Sequence, residues 1–123
     1  MAFRVNHMHF KSPDSRKTAK WYVDNLGAKV VSETEGAPGQ PPSFRLDLHG
    51  VSMNVTGFIA GQKLSQHYGL EHVAVDADDF DAQVAKIKGS GTKVLEERVL
   101  PDGRRVCFFQ GPDDVRLEFM EWK

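Results

Sequence analysis

Cysteine is nearly missing from this chain: one residue, Cys107, in 123. A lone thiol closes no intramolecular disulfide, so the fold must rest on its core, as suits a reducing cytoplasm. Cys107 stands in the apolar run Val106-Cys107-Phe108-Phe109 with no histidine beside it in sequence, and is expected to be buried and inert rather than nucleophilic. Neither sign of charge is in excess. A formal net charge of -1 gives no basic field for nucleic acid or an anionic membrane surface. No apolar run approaches the roughly 20 residues that cross a bilayer. The stretch from Met1 to His7 lacks the apolar segment of a signal peptide, and a cytoplasmic location is expected. At this length the chain reads as one domain, residues 1–123, able to bury a real core.

The chain does contain a repeat. His7 opens Asn6-His7-Met8-His9-Phe10, and sixty-five positions later His72 opens Glu71-His72-Val73-Ala74-Val75-Asp76. Val51-Ser52-Met53-Asn54-Val55 falls on Val115-Arg116-Leu117-Glu118-Phe119 at an offset of sixty-four. Between these anchors the order of signals is also repeated. A strand over about Arg4–Phe10 leads to Ser12-Pro13-Asp14, turn chemistry with an N-cap candidate, and a helix from about Ser15. That helix carries Ala19, Tyr22, Val23 and Leu26 on one stripe and stops at Gly27. In the second half, a strand over Glu71–Asp76 leads to Asp78-Asp79, then to a helix with Phe80, Val84 and Ile87 on one face that ends at Gly89 or Gly91. Strands begin at Lys29-Val30-Val31 and Lys93-Val94-Leu95, and two more close each half: Phe44–Leu48 and Val51–Thr56, then Arg105–Gln110 and Val115–Met120. Gly50 and Gly111-Pro112-Asp113-Asp114 mark hairpin turns. The segment from Thr34 to Ser43, rich in glycine and proline, reads as a surface loop.

The expected fold is therefore α+β: two βαβββ modules, about 1–57 and 71–123, joined by a polar linker over about 58–70. They would be related by a pseudo-twofold and form a curved half-barrel cup. Strand alternation puts Leu117 and Phe119 toward the helix and Arg116, Glu118 and Met120 on the concave side. The same phase turns Ser52, Asn54, Thr56, His7, His9, His72 and Ala74 inward. His49 and His67 are expected to be structural. His7, His72 and Glu118 form a different case, because a carboxylate on a concave sheet face needs a cation or several donors to stay charged. Arg116, two residues from Glu118, could be that cation. The matched histidines favour a metal instead, since an ion pair would not require them. Two histidines and a carboxylate on rigid strands leave coordination positions open. That donor set suits Fe(II) and also Mn, Ni, Co or Zn, and open positions let a metal chelate two neighbouring oxygens of a substrate.

With His7 on the first strand, Trp21-Tyr22-Val23-Asp24-Asn25-Leu26-Gly27 ending the first helix, His72 opening the second module, and Gly111-Pro112-Asp113-Asp114-Val115-Arg116-Leu117-Glu118 near the end, the chain resembles the vicinal oxygen chelate superfamily over nearly its whole length. That superfamily includes glyoxalase I, fosfomycin-resistance proteins, methylmalonyl-CoA epimerase, extradiol dioxygenases and bleomycin-binding proteins. The resemblance implies a divalent metal on His7, His72 and Glu118, with Asn54 as the candidate fourth ligand. Glyoxalase I has a glutamate at that fourth position, which serves as ligand and base, and the epimerases a glutamine. Asn54 departs from the first and is a shorter amide than the second. His9 and Glu118 are the candidate acid/base groups. The expected function is a metal-dependent lyase or isomerase of the glyoxalase kind, acting on a small molecule with vicinal oxygens. The alternatives are an Fe(II) extradiol-type dioxygenase, a fosfomycin-type transferase and a non-enzymatic drug binder. Relatives often complete the cup with a second subunit, so a homodimer is expected.

Overall fold

The computed structural model describes residues 5–57 and 70–122. The chain divides into two compact units, Met1–Leu64 and Ser65–Lys123. The linker about 58–70 lies almost wholly outside the described residues, as do His67 and Arg4. Each unit has the βαβββ order anticipated from the repeat.

The first unit runs β1 (His7–Lys11), α1 (Ser15–Leu26), β2 (Lys29–Thr34), β3 (Ser43–Leu48) and β4 (Val51–Thr56). Its sheet has the order β1-β4-β3-β2, with β1 and β4 parallel and the other pairs antiparallel. Asp14 caps α1 by accepting from the Lys17 N–H at 3.1 Å, and Gly27 ends it at φ 72°, a conformation in which a side chain would be strained. Ala19, Tyr22 and Leu26 of α1 are buried along with Phe44, Leu46, Leu48, Met53 and Val55 of the sheet. Phe10 meets Tyr22 edge-on at 5.7 Å. Val23, expected on the same apolar stripe, is only half-buried, because Ala19, Tyr22 and Leu26 already fill the sheet-facing side. The β3–β4 connection is His49-Gly50, with φ of 54° and 90°; two positive values are what a two-residue hairpin of matching twist demands.

The second unit repeats the plan with β5 (Val73–Ala77), α2 (Phe80–Gly89), β6 (Val94–Val99), β7 (Arg105–Gln110) and β8 (Arg116–Glu121), in the order β5-β8-β7-β6. Again the first and last strands are parallel. Asp79 caps α2, whose Phe80, Val84 and Ile87 are buried as expected. They cover the sheet face that carries Leu117, Phe119 and Phe109. A single 3-10 turn at Pro112–Asp114 precedes β8, and Asp113 and Asp114 adopt φ of 58° and 64°. Asp tolerates that region better than branched residues do.

The first strands differ from expectation at their starts. β1 begins at His7 and β5 at Val73, so neither Asn6 nor the Glu71-His72 pair belongs to a strand. The segment before β3 is a loop, but a tethered one. A Cβ on Gly36 would come within 2.3 Å of the Pro41 carbonyl oxygen, a Cβ on Gly57 within 2.9 Å of the Pro41 ring, and Ser15 donates to the Pro42 carbonyl. Among the described residues no helix is long and apolar enough to cross a membrane.

Candidate metal centre

The pairing registers place Asn54 and Glu118 at the same node of the two sheets. Asn54 lies opposite His9 on one side and Arg45 on the other; Glu118 lies opposite Ala74 and Phe108. Both stand on the closing strand of their unit, on the face turned away from the helix.

In the second unit, Glu118 is buried at 6% exposure and its Oε1 stands 3.0 Å from His72 Nε2. The other ring nitrogen of His72, Nδ1, is taken by the Glu71 carboxylate. Phe108 meets the imidazole edge-on at 5.2 Å and fixes its plane. The hydrogen bond from His72 holds the Glu71 carboxyl below the usual carboxylate range; desolvation opposes this and the Arg116 charge assists it. Arg116 does not pair with Glu118, the alternative the sequence left open. Its guanidinium lies over the Phe108 ring at 4.5 Å and reaches Glu71 at 3.4 Å and Glu96 at 3.8 Å, so the partner of Glu118 is His72.

An imidazole between two carboxylates has an electrostatic requirement. A neutral ring carries one proton, and Glu71 claims it at Nδ1. Nε2 then directs a lone pair at the Glu118 carboxylate, which is tolerable only if a further positive charge lies between them. Either a second proton or a cation can supply it. Two donors at right angles on bonds of about 2.1 Å stand about 3 Å apart, so the His72–Glu118 spacing fits two neighbouring ligands of one divalent ion. Metal-bound histidines also characteristically donate their other N–H to a carboxylate, which is the position Glu71 occupies. His72 and Glu118 therefore fit two ligands of a metal, although among the described residues no three His, Cys, Asp or Glu side chains are gathered into one site, and His7 is not brought to this pair.

In the first unit, His7 and His9 face the same way with ring centroids 6.5 Å apart. His7 Nδ1 donates to Asn6 Oδ1 at 2.7 Å, which leaves Nε2 with its lone pair exposed. His9 is held in the opposite tautomer. The Thr56 hydroxyl donates to the Gly57 carbonyl at 2.8 Å and so accepts from His9 Nε2 at 2.6 Å, leaving Nδ1 as the accepting nitrogen. His49 plays the structural part expected of it, donating from Nε2 to the Leu26 carbonyl at the end of α1 at 2.6 Å. Within the second unit a groove of about 470 Å³ lies between α2 and β6–β7, floored by Phe80, Val84 and Val106, and contains none of the candidate ligands.

A family model of the Glyoxalase/Bleomycin resistance protein/Dioxygenase superfamily matches residues 4–119. The chain belongs to this superfamily. Among proteins similar to it, mouse mitochondrial methylmalonyl-CoA epimerase is 28% identical over 89% of this chain and 67% of its own length. YwbC of Bacillus subtilis is 25% identical over 98% of this chain and 99% of its own. The fosfomycin resistance protein FosX of Listeria monocytogenes, in a complex with Mn(II) and 1S,2S-dihydroxypropylphosphonic acid, superposes with a TM-score of 0.80 at 18% identity, over 100% of this chain and 95% of FosX. That likeness is one of fold. It matches the α+β arrangement of repeated βαβββ units within a superfamily that includes enzymes.

The sequence reading missed Asn6 and Glu71. Both immediately precede a module-opening histidine, and both present an oxygen acceptor to its Nδ1. The signal was available at the same offset of sixty-five that aligned His7 with His72.

Proposed function

We propose that this chain is a divalent-metal-dependent enzyme that grips two neighbouring oxygens of a small substrate and relocates a proton beside them, a lyase or isomerase of the glyoxalase kind. The observation that carries this reading is the His72 imidazole set between Glu71 and Glu118, an arrangement that calls for one more positive charge. His7, His72 and Glu118 hold the metal, with Asn54 the candidate fourth ligand. When bound, the metal supplies Lewis acidity that stabilises negative charge on the chelated oxygens. Asn54 cannot take a proton, so that task falls to other groups. His9, whose Nε2 proton is committed to Thr56, offers Nδ1 as the acceptor for a proton on carbon. Glu118 directs one oxygen at His72 and keeps the other as a second acceptor. The similarity to methylmalonyl-CoA epimerase favours the isomerase branch, and an amide at position 54 agrees with it.

The test is metal analysis of protein purified without chelators, followed by proton NMR in D2O with methylmalonyl-CoA and with the methylglyoxal–glutathione adduct. The expected result is stoichiometric metal and metal-dependent deuterium uptake at carbon, lost in His72→Ala and Glu118→Ala. Absence of metal binding, or metal-dependent oxygen uptake on catechols without proton exchange, would replace this reading. The enzyme acts as a homodimer in this account; the exposed Val30, Val31, Leu95 and Val99 of β2 and β6 are apolar surface for a second copy to cover. A monomer by light scattering at micromolar concentration would remove that part.

A further inference from the structure

We infer that Asn6 and Glu71 are a matched pair of positioning residues that set the tautomer of the two histidines and make them unequal donors. The inference rests on the metal-dependent reading for its purpose, but its geometry stands independently of it. Each residue lies directly before its histidine and outside the following strand, so its side chain is free of the strand's alternation and turns back onto the ring. Each offers an oxygen to Nδ1. Which ring nitrogen carries the proton is decided by the bond the other makes, so each imidazole is held with a proton on Nδ1 and with Nε2 turned away from that acceptor. His9 shows that this is not imposed by the strand: one position along the same face, its bond to Thr56 fixes the reverse tautomer.

The pair is chemically uneven. Asn6 is a neutral amide, whereas Glu71 is a carboxylate that Arg116 anchors from 3.4 Å. A carboxylate behind an imidazole pushes electron density toward Nε2, and an amide does so less. His72 is thus the stronger donor and His7 the weaker. His72, with Glu118 beside it, would bind a metal ion more tightly than His7 would.

Nitrogen-15 NMR of the imidazole rings in metal-free protein at neutral pH tests the first half. His7 should show protonated Nδ1 and bare Nε2, and His72 should show protonated Nδ1. Asn6→Ala should release His7 alone, and Glu71→Ala should release His72 alone, toward the Nε2–H form of an unrestrained ring. Glu71→Gln should keep the His72 tautomer, because the amide oxygen still accepts. Competition calorimetry with Mn(II), Co(II) and Zn(II) tests the second half. Glu71→Ala should weaken the metal about 10- to 100-fold, Glu71→Gln by less, and Asn6→Asp should tighten it. Tautomers unmoved by either alanine variant would overturn the inference. Fixed tautomers in a protein that binds no metal would instead overturn the proposed function and leave the positioning role standing. Equal losses from Asn6→Ala and Glu71→Ala would refute the inequality.

Discussion

Glu118→Gln separates the two ways of supplying the missing positive charge, because they predict opposite responses in metal-free protein. In wild type without metal, Nε2 of His72 faces the buried Glu118 carboxylate at 3.0 Å with Nδ1 already bonded to Glu71. If a divalent ion is the intended bridge, glutamine relieves that opposition, since its amide N–H donates to the Nε2 lone pair. The metal-free melting temperature should then stay within about 2 °C of wild type or rise. Unfolding entropy for a chain of 123 residues is about 0.26 kcal/mol/K near the transition. Metal at 100 times its Kd stabilises wild type by about 2.7 kcal/mol, which is a rise of about 10 °C. Replacing a charged ligand by a neutral one that weakens the ion about 100-fold leaves about 0.4 kcal/mol, or about 2 °C, at the same concentration. Differential scanning calorimetry of both proteins, with and without Mn, Co, Ni, Zn or Fe(II), reads these four numbers. The contrary result is equally definite. If His72 is an imidazolium donating to both carboxylates, metal should leave wild type unmoved, and Glu118→Gln should cost the about 1.5–3 kcal/mol of a charged hydrogen bond, a fall of about 6–12 °C. That pattern would refute the metal centre.

Gly111→Ala places a Cβ 2.7 Å from Leu117 Cδ1 and 3.3 Å from the Val115 carbonyl, at the turn that delivers β8. It should cost about 1–3 kcal/mol by chemical denaturation, with a weaker metal site because Leu117 adjoins Glu118. His49→Asn keeps a residue that tolerates φ 54° but removes the bond to the Leu26 carbonyl, so it should cost about 1 kcal/mol and leave metal content unchanged. Burial raises the Cys107 thiol above its ordinary pKa, aided by Glu97 and opposed by Lys88. A disulfide reagent should therefore fail to label native protein at pH 8 and label it fully after unfolding; prompt labelling of the native state would contradict the buried position at 0% exposure.

The element order was legible because its signals are local. Asp14 and Asp79 have the side chain and spacing of an N-cap, Gly27 the freedom a left-handed stop requires, and each proved to be in that role. Burial phase was legible where apolar residues alternate, as on β4 and β8. What the sequence could not supply was the direction of side chains outside regular strands. Glu71 carries no periodicity to betray it, since β5 begins two residues later. Arg116 was weighed as the partner of Glu118 because the two share a face, but same-face neighbours along one strand stand about 7 Å apart. The long guanidinium instead lies across Phe108, where Glu71 and Glu96 are nearer. The bond that defines the candidate site, His72 to Glu118, joins residues forty-six apart and depends on a parallel pairing that no local pattern announces.

That parallel pairing also governs how the chain is made. In each unit the first strand must wait for the last: His7 lies beside Ser52, and Val73 beside Leu117. Helix and hairpin can form as soon as they are synthesised, but the pairing of the first strand, at the sheet edge, with the last closes a stretch of more than forty residues, the slowest and entropically most expensive step of its assembly. Asn54 and Glu118 ride on the late-arriving strands. A nascent first unit can finish its sheet while the second is still being translated, whereas Glu118 reaches His72 only once β8 has been made. A metal ion captured there would act as a latch on the final closure, and a truncated or stalled chain would have no latch to set.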